Sequence, residues 1–342
     1  MKARNIILIT LLFILGACSE ESSPEVQPAQ SPEKVPSLEE LSVGHIELDP
    51  VETPTENFLE GGRVEGTYFD DSGQIEFRVY SATSGFAGSH TNRIASVGSG
   101  FVCIGGGALI HDWTNNKGAL LTASYPSLNK ESWIASSHDH AVADHHKLTV
   151  YAIGMRISGI SESTLKSYIY HDNAVSSTSQ QYPFKQVNLP AGYELLSGGT
   201  KINWVHPGNL SVSSIPIGNH AWFSQGKDHL YVSPTTIRTY VVGILRNIPN
   251  FGTVDTNVYT AHTFTNGGYS NVTISLNNTG YVLTGVGGSA MTGEISANVG
   301  RGRMLYGLKP GSQGNSATSY SKDHIYFDDG TTRVYAIGLK KL

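Results

Sequence analysis

Cysteine is nearly absent from this sequence of 342 residues, which contains two, Cys18 and Cys103. A framework of several disulfides, on which many small exported domains rely, is therefore excluded. Cys103 lies in the apolar segment GFVCIGGG, with no basic neighbour that would lower the pKa of its thiol. We therefore predict that this thiol is buried and unreactive.

Charged residues are also scarce, at 15% of the chain against about 25% in typical soluble domains. Lysine and arginine form no cluster, which argues against a nucleic-acid partner. The motifs HExxH, GxSxG and CxxC and the P-loop are missing as well. A metal-dependent enzyme is accordingly the third functional hypothesis, after binding and a structural role, and we predict no catalytic residue and no cofactor.

The N-terminus combines a basic start with a short apolar segment. Lys2 and Arg4 precede the apolar residues 6–15, which are too few to span a bilayer, because a transmembrane helix needs about 20. The segment ends in Leu-Gly-Ala-Cys at 15–18. This arrangement is typical of an export signal and does not belong to the fold.

The sequence at 15–18 resembles the signal of bacterial lipoproteins. The resemblance implies cleavage before Cys18 and lipidation of Cys18, so that residues 1–17 are a signal peptide. Ser19 stands where an aspartate would favour retention in the inner membrane, and an outer-membrane destination is therefore expected. With Cys18 lipidated, Cys103 has no partner for an intramolecular disulfide. An uncleaved membrane anchor is the alternative.

Residues 18–57 are rich in Glu, Pro and Ser and hold most of the protein's negative charge. Nine Glu and one Asp stand against one Lys there, a net charge of −9 in a chain whose total is −5. Such a segment has too few apolar residues to offset the entropy lost on ordering. We predict a disordered acidic tether between the lipid anchor and a nearly neutral domain.

The remaining chain has the composition of an all-β protein. Alternation of apolar and polar residues is common, as in QIEFRVYSA and TRVYAIGLKKL, and no long segment has apolar residues at helical spacing. Gly, Ser, Thr and Tyr are abundant, which suits short strands and tight turns.

Internal similarity divides this region into three. The segment GFVCIGGGA at 100–108 matches GYELLSGGT at 192–200 and GYVLTGVGGSA at 280–290, and TVYAIGMRI at 149–157 matches RTYVVGILR at 238–246 and RVYAIGLKK at 333–341. We predict three homologous antiparallel β modules of about 90 residues, sandwich- or prism-like, at 58–158, 159–249 and 250–342. Their short joints favour a closed pseudo-threefold arrangement over a linear array.

An Asp-His dipeptide recurs at the same place in each module. Eleven residues separate each histidine from a tyrosine: His140 from Tyr151, His229 from Tyr240, and His324 from Tyr335. In the third module Asp329-Gly330 is a strong signal for a two-residue hairpin turn. We therefore predict a hairpin in which each histidine lies opposite its tyrosine, while Phe327 faces the core.

The predicted hairpin face carries side chains suited to a sugar. Tyrosine and tryptophan offer flat apolar surfaces, while His, Arg and Asp offer directed hydrogen bonds, and such surfaces are frequent at recognition sites. The candidate ligand-binding residues are His140, Tyr151, Trp133, His229, Tyr231, Arg238, Tyr240, Trp222, His324, Tyr326, Arg333 and Tyr335. For the tryptophans, packing in the core is the alternative.

Two other interpretations of the Asp-His repeat stay open. The aspartates can bond backbone amides where the chain enters the hairpin, so that the repeat serves the architecture of each module. The three histidines can also surround a pseudo-threefold axis and bind one ion, but this requires a closed ring of modules that the sequence does not demonstrate, and no metal is predicted.

The leading hypothesis is a lipid-anchored exported binding protein that recognises a glycan or a surface polymer through several weak equivalent sites. Its rival is a structural or envelope-assembly role, in which the repeated faces hold the modules together. The only other partner expected is the membrane, through the lipid.

Overall fold

The protein is all-β in the part of the chain that the structure describes. A computed structural model describes residues 62–342, except for residues 89, 116, 206–207, 291–301 and 326. The predicted signal peptide, the predicted lipidation site Cys18, the predicted tether and the candidate ligand residue Tyr326 lie outside the described residues. Within these residues, no helix has the length and apolar character needed to cross a membrane.

Twenty strands and one short helix make up the regular structure of the described residues. The elements of the first third are β1 (Arg63–Phe69), β2 (Ile75–Thr83), β3 (His90–Ser96), β4 (Val102–His111), β5 (Ala119–Pro126), β6 (Ser132–Asp139) and β7 (Lys147–Ile157). The middle third holds α1 (Glu162–Tyr168), β8 (Ile169–Val175), β9 (Phe184–Asn188), β10 (Tyr193–Ile202), β11 (Asn209–Ile217), β12 (Ala221–Asp228) and β13 (Ile237–Leu245). The last third holds β14 (Asn247–Ile248), β15 (Gly252–Thr265), β16 (Tyr269–Ser275), β17 (Val282–Ser289), β18 (Met304–Pro310), β19 (Ser316–Lys322) and β20 (Gly330–Lys341).

The strands form three antiparallel sheets. Sheet 1 has the order β1-β2-β7-β4-β18-β19-β16, sheet 2 the order β3-β6-β5-β10-β13-β8, and sheet 3 the order β14-β15-β20-β17-β11-β12-β9. If the edge strands β1 and β14 are not counted, each sheet has six strands. The same strand pattern therefore occurs three times: β2–β7, β8–β13 and β15–β20 are equivalent sets, here called modules 1, 2 and 3.

Each sheet combines half of one module with half of another. Strand β5 of module 1 pairs with β10 of module 2, β11 of module 2 pairs with β17 of module 3, and β18 of module 3 pairs with β4 of module 1. The three junctions use equivalent residue pairs, which are Ser124 with Thr200, Ser214 with Gly288, and Leu308 with Ala108. The modules thus close into a pseudo-threefold ring, in which no module completes a sheet alone.

The modules also meet along their equivalent third strands. Strands β4, β10 and β17 each carry a β-bulge at the same place, and the bulged residues are Ile104, Leu196 and Thr284. The Ser197 hydroxyl donates to the Ile104 carbonyl at 2.5 Å, and the Thr284 hydroxyl donates to the Leu196 carbonyl at 2.9 Å. A bulge re-aims the backbone locally, and here it brings three strands into contact at the pseudo-threefold axis.

Two sequence predictions about local structure are wrong. The Asp-His hairpin does not form, because β6 and β7, which flank the first Asp-His, lie in different sheets and do not pair. Tyr240 pairs instead with Gly199 of β10 and Asn173 of β8, and Phe327, expected in the core, is 81% exposed. The constant spacing of eleven residues reflects a loop that crosses from one sheet to the next.

The joint between modules 1 and 2 contains a helix that the alternation of residues does not predict. Helix α1 is capped by Ser161, whose side chain accepts from the Thr164 amide, and Glu162 lies in its first turn. These are ordinary signals for a helix start. The seven-residue helix buries only Leu165, so its apolar pattern is too short to detect by periodicity.

Candidate functional site

Each Asp-His dipeptide lies where a strand ends and the chain leaves its sheet. The aspartate closes the loop that follows by accepting a backbone N–H five residues later. The three bonds are Asp144 N to Asp139 Oδ2 at 2.9 Å, Ser233 N to Asp228 Oδ2 at 2.7 Å, and Asp328 N to Asp323 Oδ2 at 3.2 Å. The aspartates therefore do bond backbone amides in all three modules, although the segment is a loop and not a hairpin.

The residue after each histidine has a left-handed backbone. Ala141, Leu230 and Ile325 have φ values of 56°, 61° and 55°. Residues other than glycine rarely adopt this conformation, and for the β-branched Ile325 it is a true outlier. In modules 1 and 2 this left-handed residue closes a tight turn. The Val142 N–H donates to the His140 carbonyl at 2.6 Å, and the Tyr231 N–H donates to the His229 carbonyl at 2.7 Å. Strained backbone of this kind persists only where the surrounding structure requires it.

The turns bring His140, His229 and His324 together at the pseudo-threefold axis. Their ring centroids are 5.3 Å apart for His140 and His229, 4.7 Å for His140 and His324, and 5.1 Å for His229 and His324. The three residues are 0%, 4% and 0% exposed. We call this group the axial histidine cluster.

Hydrogen bonds pass from module to module around the cluster. His324 Nε2 donates to the carbonyl of His140 at 2.5 Å, and His229 Nε2 donates to the carbonyl of His324 at 3.2 Å. Because a carbonyl oxygen only accepts, these bonds place the ring proton on Nε2 in both residues. Burial lowers the pKa of His324 far below its ordinary value, and the neighbouring His140 and His229 lower it further. The His324 ring is therefore neutral at pH 7.

A second layer of buried polar residues surrounds the cluster. The residue before each Asp-His is His138, Lys227 or Lys322, and all three are at most 3% exposed. The Lys322 ammonium lies 4.3 Å from the centroid of the Trp113 ring, a cation–π contact. Burial lowers the pKa of Lys322 to about 7 against the opposing effect of Asp144 and Asp139, and burial lowers the pKa of Lys227 to about 8.

Lys322 gives the protein a stability that rises with pH. Its pKa is about 7 in the folded chain and about 10.4 in an unfolded one, so the unfolded state binds more protons between these values. Below pH 7 both states hold the proton, and the full desolvation penalty opposes folding. We expect the free energy of unfolding to increase from pH 7 to pH 9, by at most about 1.4 kcal/mol per pH unit from this group. Lys322→Met should reduce that slope in denaturant titrations.

Lys227→Met is the matched comparison for this prediction, since Lys227 occupies the equivalent position and its pKa is also lowered. Each variant should lose part of the slope, and the double variant should lose more than either. If the free energy of unfolding of the variants rose with pH as steeply as that of the unmodified protein, the burial of these ammonium groups would be contradicted.

The tyrosines of the predicted hairpin face lie in a different place from the histidines. Tyr151, Tyr240 and Tyr335 each pair with a glycine of the neighbouring strand: Gly107, Gly199 and Gly287. The tyrosines thus lie within paired strands, not in the loops that hold the histidines, and are at most 9% exposed. Arg238 and Arg333 are half-buried, and Arg238 donates to the Asn173 amide oxygen at 2.6 Å. The predicted ligand face of His, Tyr and Arg side chains is not assembled.

The two tryptophans of the candidate set lie in the core. Trp133 and Trp222 are 1% and 0% exposed. Their indole N–H groups donate to the hydroxyls of Ser124 and Ser214 at 2.9 Å and 3.0 Å. Tyr231, another candidate, contacts the cluster, with its ring centroid 5.9 Å from that of His140.

An open groove of about 810 Å³ lies on one face of sheet 1. Its lining includes Arg63, Glu65, Ser81, Thr83, Leu109, His111, Thr149, Tyr151, Lys309, Gln313, Asn315, Ser316, Thr318 and Tyr320. Of the candidate residues that the structure describes, Tyr151 is the one that lines this groove. Burial raises the pKa of Tyr151 to about 12, with a further contribution from Glu65, so its phenol stays neutral. We call this cavity the sheet 1 groove.

The groove was not predicted because its two walls come from opposite ends of the domain. Strands β1, β2, β4 and β7 belong to the first third of the chain, whereas β18 and β19 belong to the last, and the β4–β18 junction joins them. Hydrogen bonds link three of the lining residues, since the hydroxyls of Thr83 and Thr149 lie 2.7 Å apart and His111 Nε2 is 2.8 Å from the Thr149 hydroxyl.

Comparisons with known proteins give no family for this chain. No protein-family model matches the sequence, and a search of curated proteins found no significant match. Function is therefore inferred from the axial histidine cluster and the sheet 1 groove.

Proposed function

We propose that this chain is a lipid-anchored, exported binding protein that recognises a glycan or a related surface polymer through the sheet 1 groove. In this proposal Cys18 holds the protein to the outer membrane and residues 18–57 act as the tether. The observation that supports it is the size and lining of the groove, since pockets of about 300–1,000 Å³ are typical of small-molecule sites.

The groove combines flat apolar surface with hydroxyl and amide groups. Tyr151 and Tyr320 supply aromatic rings with a polar tip. The side chains of Gln313, Asn315 and Thr318 offer donors and acceptors at the rim. A sugar ring has apolar patches bordered by hydroxyls, so this lining matches it better than it matches a fully apolar ligand.

The equivalent tyrosines of the other two sheets pack against large side chains. Tyr240 stacks on Tyr125 in sheet 2, with centroids 4.8 Å apart and planes 18° apart. In sheet 3, Tyr335 packs with Ile215 and Phe223. On sheet 1 the corresponding neighbour of Tyr151 is Lys309, whose ammonium lies 5.9 Å from the ring centroid. Tyr151 therefore borders open space in sheet 1. The proposal accordingly has one binding site, where the sequence suggested several weak equivalent sites.

A glycan array tests this proposal with the chain carrying Cys18→Ser, which removes the lipidated residue and leaves the described domain unchanged. We expect retention of at least one glycan class, and about a tenfold loss of affinity in Tyr320→Ala, or about 1.4 kcal/mol. The thermal midpoint should fall less than for a fully buried tyrosine, because Tyr320 is half-buried.

Tyr182→Ala is the matched control, since Tyr182 is 47% exposed and does not line the groove. It should bind as the parent does. Absence of any retained glycan, or equal binding by Tyr320→Ala, would reject the groove as a sugar site. The structural role would then be favoured, because the hydrogen bonds of the axial histidine cluster join one module to another.

A further inference from the structure

The axial histidine cluster brings one imidazole from each module to a common point. One ring nitrogen from each of His140, His229 and His324 lies within 4.8 Å of one from both others. The three residues are separated by about 90 positions in sequence and meet only because the ring of modules closes. Convergence of this kind is what a metal ion requires of its ligands.

The hydrogen bonds of the cluster leave one ring nitrogen of His229 and one of His324 with a lone pair for coordination. Nε2 donates to a backbone carbonyl in both His229 and His324, so in a neutral ring the lone pair lies on Nδ1. His324 Nδ1 is buried and has no hydrogen-bond partner among the described residues. Metal-ligating histidines commonly donate their other ring N–H to a carbonyl, which holds the ring in orientation.

The surroundings carry the opposite charge to a cation. The loop segments 138–146, 227–235 and 322–329 contain six Asp and two Lys, which gives 2 − 6 = −4 with the histidines neutral. Arg303, whose Nη2 lies 3.0 Å from Asp323 Oδ1, reduces this excess by one charge. A divalent ion at the axis would therefore enter a region of net negative charge.

We infer that His140, His229 and His324 bind one divalent transition-metal ion at the pseudo-threefold axis. Three imidazoles suit Zn²⁺, Co²⁺, Ni²⁺ or Cu²⁺ and do not suit Mg²⁺ or Ca²⁺, which take oxygen ligands. Three nitrogens within 4.8 Å of one another have their centre at most about 2.8 Å from each, whereas a Zn–N bond is about 2.0–2.1 Å. Each ring therefore moves inward by less than about 1 Å when the ion binds.

The ion would join all three modules, since each contributes one ligand. A ligand that binds only the folded state stabilises it according to its concentration relative to Kd. The expected result is a rise in thermal midpoint on adding Zn²⁺ to the protein freed of metal, reversed by a chelator. This site is independent of the sheet 1 groove, and failure of either proposal leaves the other untouched.

The test uses the Cys18→Ser chain after treatment with a chelator and dialysis. Calorimetric titration with Zn²⁺ should give one ion per chain, and Co²⁺ should give the visible absorption of a nitrogen-ligated site. His324→Ala should weaken Zn²⁺ binding about 100-fold or more and abolish the thermal shift, because removing a ligand exceeds the 10–100-fold effect of losing an outer partner.

Two control variants separate ligand loss from general damage. His146→Ala removes a histidine that is equally buried but bonds Ser137 and the Asp144 carbonyl, and His220→Ala removes an exposed one. Both should keep stoichiometric binding, with His146→Ala less stable throughout. If His324→Ala does not fold, X-ray absorption of Zn²⁺ bound to the parent should show three imidazole ligands. No binding at saturating ion, or binding with a different ligand set, would overturn the inference.

Discussion

Gly105→Ala is expected to destabilise the domain by more than about 3 kcal/mol, an unusually large loss for the addition of one methyl group. A β-carbon on Gly105 would overlap the carbonyl oxygen of Thr284 and crowd the side chain of Ser197. These three residues belong to modules 1, 3 and 2, at the bulges that meet on the axis. Because the atom that the new β-carbon meets is the backbone carbonyl oxygen of Thr284, a change of side-chain rotamer cannot relieve the clash. Thermal and denaturant unfolding of the Cys18→Ser chain measure the effect.

Gly85→Ala provides the control for this experiment. A β-carbon there meets nothing within 4 Å, and the residue is not among those with a left-handed backbone. We expect a change within about 0.5 kcal/mol, as for most surface substitutions. A Gly105→Ala protein as stable as the Gly85→Ala protein would show that the three bulged strands do not approach as closely as described.

Trp222→Ala is expected to reduce the free energy of unfolding by about 3–5 kcal/mol, the range for truncating a large core aromatic. Trp222 is fully buried and its ring packs directly against Gly198, where any side chain would overlap it. Truncation leaves a cavity and also strands the Ser214 hydroxyl, which accepts the indole N–H at 3.0 Å. Trp133→Ala should behave similarly, since Trp133 packs on the equivalent Gly106 and bonds Ser124.

The exposed Phe184 supplies the comparison for this variant. Phe184→Ala removes a ring that is 54% exposed and should cost less than about 1 kcal/mol. Binding to glycans is the second measurement. If Trp222→Ala lowered glycan binding without lowering stability, the tryptophan would belong to a ligand site after all, and its position in the core would be in error.

The two proposals depend on different parts of the ring. The sheet 1 groove is built at the β4–β18 junction between modules 1 and 3, whereas the metal site needs all three modules. Tyr320→Ala should therefore leave Zn²⁺ binding intact, and His146→Ala should leave glycan binding intact. Gly105→Ala should weaken both Zn²⁺ binding and glycan binding, because it disturbs the contact of the three modules at the axis.

The repeat was readable from the sequence, but its geometry was not. The spacing of eleven residues between His324 and Tyr335 correctly marked an equivalent segment in every module. Its interpretation as a hairpin failed because Asp329-Gly330 favours a two-residue turn only when the flanking residues pair with each other. Here Tyr335 pairs with Thr260 and Gly287, from strands that lie far away in the chain.

The sequence predicted the burial of some side chains and left that of others open. Core packing was an open alternative for Trp133 and Trp222, and the structure places both in the core. Burial of Cys103 was predicted from its apolar neighbours and is confirmed, with its pKa raised to about 12 by that burial. Local composition sufficed for the cysteine, because every residue around it is apolar or glycine.

Local patterns by themselves determined the all-β class, the threefold repetition and the recurrence of Asp-His, because alternation and spacing are properties of neighbouring residues. Tertiary structure alone decided that half-sheets are shared between modules, that the histidines meet at one axis, and that Tyr151 borders a groove while Tyr240 and Tyr335 pack against apolar side chains. Each of these depends on strand pairing between residues about 75 to 200 positions apart, and such pairing is set by closure of the ring and by the side chains that fill each face.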